Sequence, residues 1–372
     1  MARTVPLARR NLFQDRRRAA LAVGGVGVSL VLVLVLQGIF AGAMRQVTRY
    51  LDRLPADVIV SQDGVTTMHM SSSAVPLRTV DEVARQPGVR WAEAIRFTTG
   101  VITGPDGTRQ LSYVIGFDTA TNRSGPRRIT TGGSPQRGEG ILDQLGADQL
   151  GVTVGDEIDV GGNPLRISGL SEGGTSITNT TLFVRLEDMA AVQPDSVSYV
   201  LAGAEPGISP TALRDQLAGT LRDVTVQTRD QFSSAEARIV SDMSADVMRI
   251  MNLVALGIAL VVIGLALFTL TLAKLREYGV VKAIGARPRR LLAIIATQAT
   301  WTVAASLTLG VALTALAGAV VTRVQPSVEI VLVPGQVART GLAALVVAAI
   351  GAVVPLRRVL AVDPASAFRR SA

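Results

Sequence analysis

Four stretches of this chain carry no charged residue: 19–41, 250–273, 291–322 and 340–356. They limit the fold more than any other feature of the sequence. About 20 apolar residues rising ~1.5 Å each cross the hydrocarbon core of a bilayer. Inside that core every backbone N–H and C=O must be paired within the segment, so such a run is a helix. The pattern predicts four transmembrane helices, at 19–42, 248–273, 291–322 and 339–357. A basic lead followed by an apolar run also opens a secretory signal. Here the 23 uncharged residues exceed the ~7–15 of a signal core, and Gln37-Gly38-Ile39-Phe40 is a poor cleavage region. The third run is long enough that it must tilt, project or break near Gly310 or Gly318. The fourth, with 17 uncharged residues, is about the shortest that spans, and Arg357 and Arg358 at its end can snorkel.

Charge sets the topology. Residues 1–18, 273–290 and 357–372 hold sixteen basic and three acidic residues, a surplus of thirteen in a chain of net charge +8, so the remainder is acidic. Basic residues accumulate beside the cytoplasmic ends of spans. Both termini and the 274–290 loop are therefore expected in the cytoplasm, 43–247 and the short 323–338 loop outside. In the lead, Leu7, Leu12 and Phe13 with their neighbouring arginines suit an interfacial helix on membrane lipid. Nucleic acid is not an expected partner, because the basicity lies beside the spans and aromatics are only 4%, with no basic domain that stacks bases.

Several chemistries find no residues. The chain has no cysteine, which excludes disulfides and thiolate metal sites. His69 is the only histidine; in its polar stretch it reads as a solvated side chain rather than a metal ligand. No Ser–His–Asp set can be assembled, and no G-x-x-x-x-G-K-[ST] loop is present. The uncharged runs offer no ionisable group at membrane depth, which argues against a proton- or ion-coupled carrier. The expectation is a non-catalytic chain without catalytic, cofactor or metal residues.

Residues 43–247 read as mixed short elements. Residues 57–62 alternate as a half-buried strand. Thr79 and Glu82 form a capping box opening a short helix. Residues 91–104 and 108–117 make a hairpin about Gly104-Pro105-Asp106-Gly107. A helix follows over 143–150, then strands at 152–160 and 165–170, then at 182–185 and 198–202. Ser209 caps a helix to about Leu221. From residue 230 onward, Ala235, Ile239, Met243, Val247 and Ile250 form an amphipathic stripe that runs without Gly or Pro into the second span. This predicts one helix over 230–272, ~60 Å long at ~1.5 Å per residue, whose first part (about 230–249) is a stalk. In the first span Gly38-x-x-x-Gly42 is a close-packing motif, serving either packing within one subunit or a contact between subunits.

The 274–290 loop is the most specific stretch. Val280, Val281 and Ile284 give a short helix one apolar side, with Lys282 off it. Gly285 can cap it, and Pro288 discourages its continuation. By charge alone it is a topogenic loop. As a string, however, R-E-x-G-V-V-K-A-I-G-A, carrying Arg276, Glu277, Gly279, Val281, Lys282, Ile284, Gly285 and Ala286, resembles the segment between the second and third spans of FtsX-like permeases. That ABC transporter family includes macrolide (MacB-type) and lipoprotein exporters. The resemblance extends to PGVRWAEAI, YVIGFD and LGADQLGVTVGDEIDVGGNPLRISGL in the domain, to the N-terminal lead, and to the exit from the fourth span.

The resemblance implies an α-helical membrane protein with four transmembrane helices and a mixed α+β extracytoplasmic domain inserted between helices 1 and 2, in a bacterial cytoplasmic membrane. It implies that those eight loop residues dock on a separate ABC ATPase subunit, where ATP and Mg would reside. It further implies a second permease copy or close relative, and export or extraction of an amphipathic substrate. The alternative is an FtsX-like transmitter that activates an extracytoplasmic cell-wall hydrolase, a protein partner, without moving cargo.

Overall fold

The computed structural model describes residues 16–175, 179–190, 194–273 and 288–351. Seven α-helices lie in chain order among them: α1 Arg16–Arg53, α2 Arg78–Ala84, α3 Gln144–Leu150, α4 Pro210–Thr220, α5 Arg229–Ala273, α6 Pro288–Val324 and α7 Pro334–Gly351. The strands are β1 Val58–Gln62, β2 Val75–Pro76, β3 Val89–Thr103, β4 Arg109–Phe117, β5 Ile129–Gly132, β6 Glu139–Asp143, β7 Glu157–Val160, β8 Asn163–Ser171, β9 Thr180–Arg185, β10 Ser196–Val197, β11 Tyr199–Ala204 and β12 Val224–Thr228. The chain divides into a helical unit and an α/β unit, the latter Ala43–Met243 together with Pro326–Val328.

In the helical unit, α1, α5, α6 and α7 each contain a stretch long and apolar enough to cross a membrane. Their shared core is Val26 and Leu30 of α1, Ile263 of α5, Ala299 and Val303 of α6, and Ala344, Val347 and Ala348 of α7. Small residues let the backbones approach. A Cβ on Gly310 would lie 3.3 Å from Cβ of Leu30. The Ser306 hydroxyl donates to the carbonyl of Val23 at 3.1 Å, and Thr340 donates to the Gln37 side-chain oxygen at 3.1 Å. The break considered near Gly310 or Gly318 does not occur: α6 is one helix of 37 residues. Its described part begins at Pro288. Helix α7 begins at Pro334, five residues before the expected 339, and its described part ends at Gly351.

In the α/β unit one sheet runs β12-β1-β11-β3-β4-β9-β6-β8-β5. Its organiser is β3, 15 residues long. The first half of β3 pairs with β11 and the second half with β4 and β7, so one strand belongs to two layers. One core gathers Val58, Val60, Val200 and Ala202 of the sheet under Val83 of α2 and Leu213 and Leu217 of α4. A second sets Ala147 and Leu150 of α3 against Leu142, Ile167 and Leu182. A third covers the opposite face: Ile59, Ile95, Tyr199 and Leu201 pack on Leu51 and Leu54 of α1 and Phe232 of α5.

Three local expectations change. Strand β1 is buried at Val58, Ile59, Val60 and Ser61 alike, because helices cover both of its faces; it is not half-exposed. Thr79 does not cap α2. The N-cap is Leu77 with no side-chain cap, Thr79 is buried, and Glu82 pairs instead with Arg78 at 3.5 Å. The strand read over 152–160 starts only at Glu157. Before it, Asp156 accepts from the backbone N–H and hydroxyl of Thr153 at 2.7 and 3.0 Å, and Gly155 has φ +100°. That closed turn cannot also be strand. The Thr153 backbone bond, then its hydroxyl, holds the Asp156 carboxyl below the ordinary range. The expected cap at α4 is present, Ser209 accepting from Ala212 N–H at 3.2 Å; at α3, Asp143, read as the first helical residue, is instead the N-cap and accepts from Leu145 N–H at 3.2 Å.

Candidate functional site

The eight loop residues Arg276, Glu277, Gly279, Val281, Lys282, Ile284, Gly285 and Ala286 lie outside the described residues. What the structure describes is the machinery leading to them. The described part of helix α5 has 45 residues, about 66 Å at ~1.5 Å per residue, and reaches Ala273, directly before that segment. Nothing in residues 229–249 breaks it, because those positions hold no Gly or Pro.

The other end of α5 is locked into the α/β unit. The Asp52 carboxylate, in the last turn of α1, accepts from Ser233 in the first turn of α5 at 2.6 Å and from Thr48 at 2.8 Å. Arg229 donates to the carbonyl of Leu54 at 3.2 Å, and its backbone N–H to the carbonyl of Asp57 at 3.0 Å. Phe232 is fully buried and meets Tyr199 edge-on, with centroids 5.6 Å apart. The end of α1 and the start of α5 thus form one hydrogen-bonded junction seated on the sheet.

Sequence reasoning missed the strongest part of this junction. His69 is not solvated: its side chain is 11% exposed, and its Nδ1 lies 2.9 Å from Oε1 of a fully buried Glu236. Its ring packs against Tyr113 and Phe97 at centroid distances of 4.4 and 5.6 Å. Glu236 also accepts from the backbone N–H of Met68 at 2.6 Å and of His69 at 3.4 Å. Burial pushes its carboxyl up, but the His69 contacts and these two N–H groups outweigh it, and the carboxyl sits below the ordinary glutamate range. A buried charge persists only when paired and hydrogen-bonded in this way. No local signal could have found the pair, since the partners are 167 positions apart. Among the described residues no group of three or more His, Asp or Glu side chains is placed to hold a metal ion.

Gly38 and Gly42 lie against the connection between α6 and α7 of the same chain. The Val331 N–H donates to the carbonyl of Gly38 at 3.0 Å. A Cβ on Gly42 would fall 1.9 Å from the backbone oxygen of Glu329, and one on Gly38 2.7 Å from Cγ2 of Ile330. Gly42 is therefore required where backbone meets backbone, while Gly38 faces a side-chain methyl.

Comparison with known proteins agrees with this architecture. Residues 19–220 match the MacB-like periplasmic core domain, and residues 249–364 match the FtsX-like permease C-terminal model, which includes the whole 274–287 segment. An uncharacterized ABC transporter permease of Mycobacterium bovis is 26% identical over 366 residues, covering 97% of this chain and 98% of that one. Another, from Mycobacterium tuberculosis, is 24% identical over 370 residues, with 97% and 98% covered. Among solved structures, the periplasmic region of MacB from Actinobacillus actinomycetemcomitans gives a TM-score of 0.38 at 9% identity, covering 50% of this chain and 94% of that one. The extracellular domain of the noncanonic ABC-type transporter YknZ from Gram-positive bacteria gives 0.36 at 13% identity, covering 46% and 99%. The first family match alone takes in more than half of the sequence, and with the second it identifies the chain as a member of the FtsX/MacB-type family of ABC transporter permeases, with its mixed α/β domain inserted after the first membrane helix.

Proposed function

We infer that this permease couples ATP hydrolysis on a separate ABC ATPase subunit to motion of its extracytoplasmic domain, for export or extraction of an amphipathic substrate such as a lipid, lipoprotein, peptide or drug. The observation that carries the reading is α5. A single helix of 45 residues begins in the Asp52–Ser233 and His69–Glu236 junction and ends beside the segment that resembles an ATPase-docking helix. Hydrogen bonds aligned along a helix axis make it stiff to axial displacement, where a Gly- or Ser-rich linker would absorb the motion. ATP and Mg belong on the partner, since this chain carries no P-loop sequence. Engaging both halves of an ATPase dimer takes two docking segments, hence a second copy or a close relative in twofold arrangement. The excess of basic residues supports a cytoplasmic position for the termini and the 274–290 loop.

The test separates docking from topology. Ile284→Asp and Gly285→Val leave every basic residue in place. If the segment only stops translocation, both variants should behave as wild type. If it docks, both should reach the membrane at normal level but fail to retain the ATPase on purification in mild detergent, or should uncouple its hydrolysis. Normal retention and normal substrate-dependent hydrolysis in both would overturn the assignment. A tight extracytoplasmic protein partner with no substrate-dependent ATPase rate would replace export by mechanotransmission.

A further inference from the structure

The α/β unit contains a cavity of about 330 Å³ against the last two turns of α1. Its lining joins two kinds of residue. Arg49 and Arg53 of α1 and Arg123 and Arg127 of the 118–128 loop supply four guanidinium groups, while Tyr50 and Phe183 supply aromatic surface. Glu172 is the one acid of the lining, and it pairs with Arg128 at 3.2 Å. Arg123 is held by the buried Glu93 at 3.6 Å and lies over the Trp91 ring, 4.9 Å from its centroid. Arg53 and Arg127 have neither an ion pair nor a hydrogen bond among the described residues. They are nonetheless close enough to act on each other electrostatically, together with Arg49. Positive charge therefore exceeds what the domain itself neutralises.

The walls are built rather than incidental. On one side the buried Glu93 accepts from the hydroxyls of Thr121 and Ser124, and Tyr50 donates to the Ser124 carbonyl at 2.9 Å. These bonds fix the loop that carries Arg123 and Arg127. On the other side the fully buried Asp143 accepts from Gly174 N–H at 2.6 Å and from the Thr175 hydroxyl, fixing the wall beside Glu172. The Arg53 guanidinium lies so close to Gly173 that a Cβ there would be 2.6 Å from its Nη1. Two buried carboxylates hold these loops around surplus cations.

We propose that this cavity binds the anionic head group of an amphiphile, with Arg53 and Arg127 as the principal anion ligands, Arg49 and Arg123 beside them, and the apolar part of the ligand against Tyr50 and Phe183. Position along α1 favours a ligand arriving from the bilayer. Arg49 and Arg53 follow residue 42, the last of the expected span, by seven and eleven positions, about 10 to 17 Å along the helix axis. Guanidinium groups suit a phosphate or carboxylate head because they offer paired donors in one plane. The proposal deepens the export reading by giving a substrate class and a first contact, and its test needs no ATPase, so the two can fail separately.

Trp91 is a built-in reporter through its contact with Arg123. In a Trp301→Phe background it is the only tryptophan, since the chain has two. The full chain in a neutral detergent is titrated with dihexanoylphosphatidylglycerol, with dihexanoylphosphatidylcholine and with inorganic phosphate, while Trp91 emission is read. Saturable binding of phosphatidylglycerol is expected, at least about tenfold tighter than either comparison ligand. Arg127→Gln should weaken it about tenfold and Arg53→Ala/Arg127→Ala about a hundredfold, as loss of one and two charge-assisted bonds requires. Arg78→Ala, an exposed arginine remote from the lining, should leave it unchanged. Absence of saturation, or equal affinity in the arginine variants, overturns the site. Equal affinity for inorganic phosphate or for phosphatidylcholine overturns the anionic amphiphile.

Discussion

Replacing Glu236 by alanine tests whether the base of α5 is anchored as the structure indicates. The carboxylate is fully buried, and His69 beside it is 11% exposed. Among the described residues neither Nδ1 of His69 nor Oε1 of Glu236 has a hydrogen-bond partner beyond this 2.9 Å approach. Truncation leaves the Met68 N–H, in a residue 1% exposed, without its 2.6 Å acceptor, which costs about 1–3 kcal/mol. It also strands the imidazole of His69. Removing one member of a buried pair costs about 3–5 kcal/mol in all. For a domain near 200 residues, each kcal/mol lowers Tm by roughly 2–4 °C, so a fall of about 6–20 °C is expected in a thermal melt of the detergent-solubilised chain. Glu236→Gln keeps an amide oxygen for the Met68 N–H and should lose less than half as much. Glu82→Ala, whose side chain is 48% exposed and makes one contact at 3.5 Å with Arg78, is the control; an exposed pair of this kind contributes about 0–1 kcal/mol. If Glu236→Ala melts within 2 °C of Glu82→Ala, on the order of that control's own effect, the anchor does not hold the domain.

Three further outcomes follow from the same geometry. Because the folded-state pKa of Glu236 is depressed, the stability it contributes is fully present above the unfolded carboxyl pKa of about 4.3 and is lost as pH falls through the lower folded value; the melting difference between wild type and Glu236→Gln should therefore shrink on acidification below about pH 4. Gly42→Ala should disrupt the helical unit, because its Cβ would meet backbone at 1.9 Å, whereas Gly38→Ala meets only a side-chain methyl at 2.7 Å and should cost about 1–3 kcal/mol, a contrast visible as loss of monodisperse protein in size-exclusion chromatography for the first alone. With no native cysteine, Ser134→Cys, at an exposed site, should react with an impermeant thiol reagent in intact cells, and Ala286→Cys only after permeabilisation; external labelling of Ala286→Cys would reverse the topology.

What the sequence disclosed and what it hid divide by range. The four spanning helices, the hairpin about residues 104–107 and the cap at Ser209 each depend on residues within one element or one turn. They are legible because hydrophobic period and turn chemistry are local. The failures are tertiary. Thr79 has the right chemistry for a cap, but its hydroxyl is drawn into the core as α2 packs on the sheet. Strand β1 looked half-exposed because nothing nearby in sequence announces that Leu51, Leu54 and Phe232 cover its second face. His69 looked solvated because its partner comes from the far end of the domain. The cavity was equally hidden: its arginines come from α1 and from the 118–128 loop, and they become a cluster only once the sheet brings those segments together.

On the proposed coupling, the junction would make α1 and α5 act together rather than as two independent anchors. Asp52 closes on Ser233, and Arg229 closes on Leu54, so the end of one spanning helix and the start of the other are fixed to each other by short polar bonds. His69 and Glu236 add a buried clamp from the sheet side. A displacement of α5 along its axis must then drag the end of α1, and with it Arg49 and Arg53 on the wall of the cationic cavity. Arg123 and Arg127 sit on a loop held both by Glu93 from β3 and by Tyr50 of α1, which donates to the Ser124 carbonyl. On the proposed coupling, only motion of α1 that strains this Tyr50–Ser124 contact would change the spacing between the two pairs of arginines. An anion held by both pairs would feel it as a change in affinity, which is how a mechanical input at one end of a helix can become capture or release at the other.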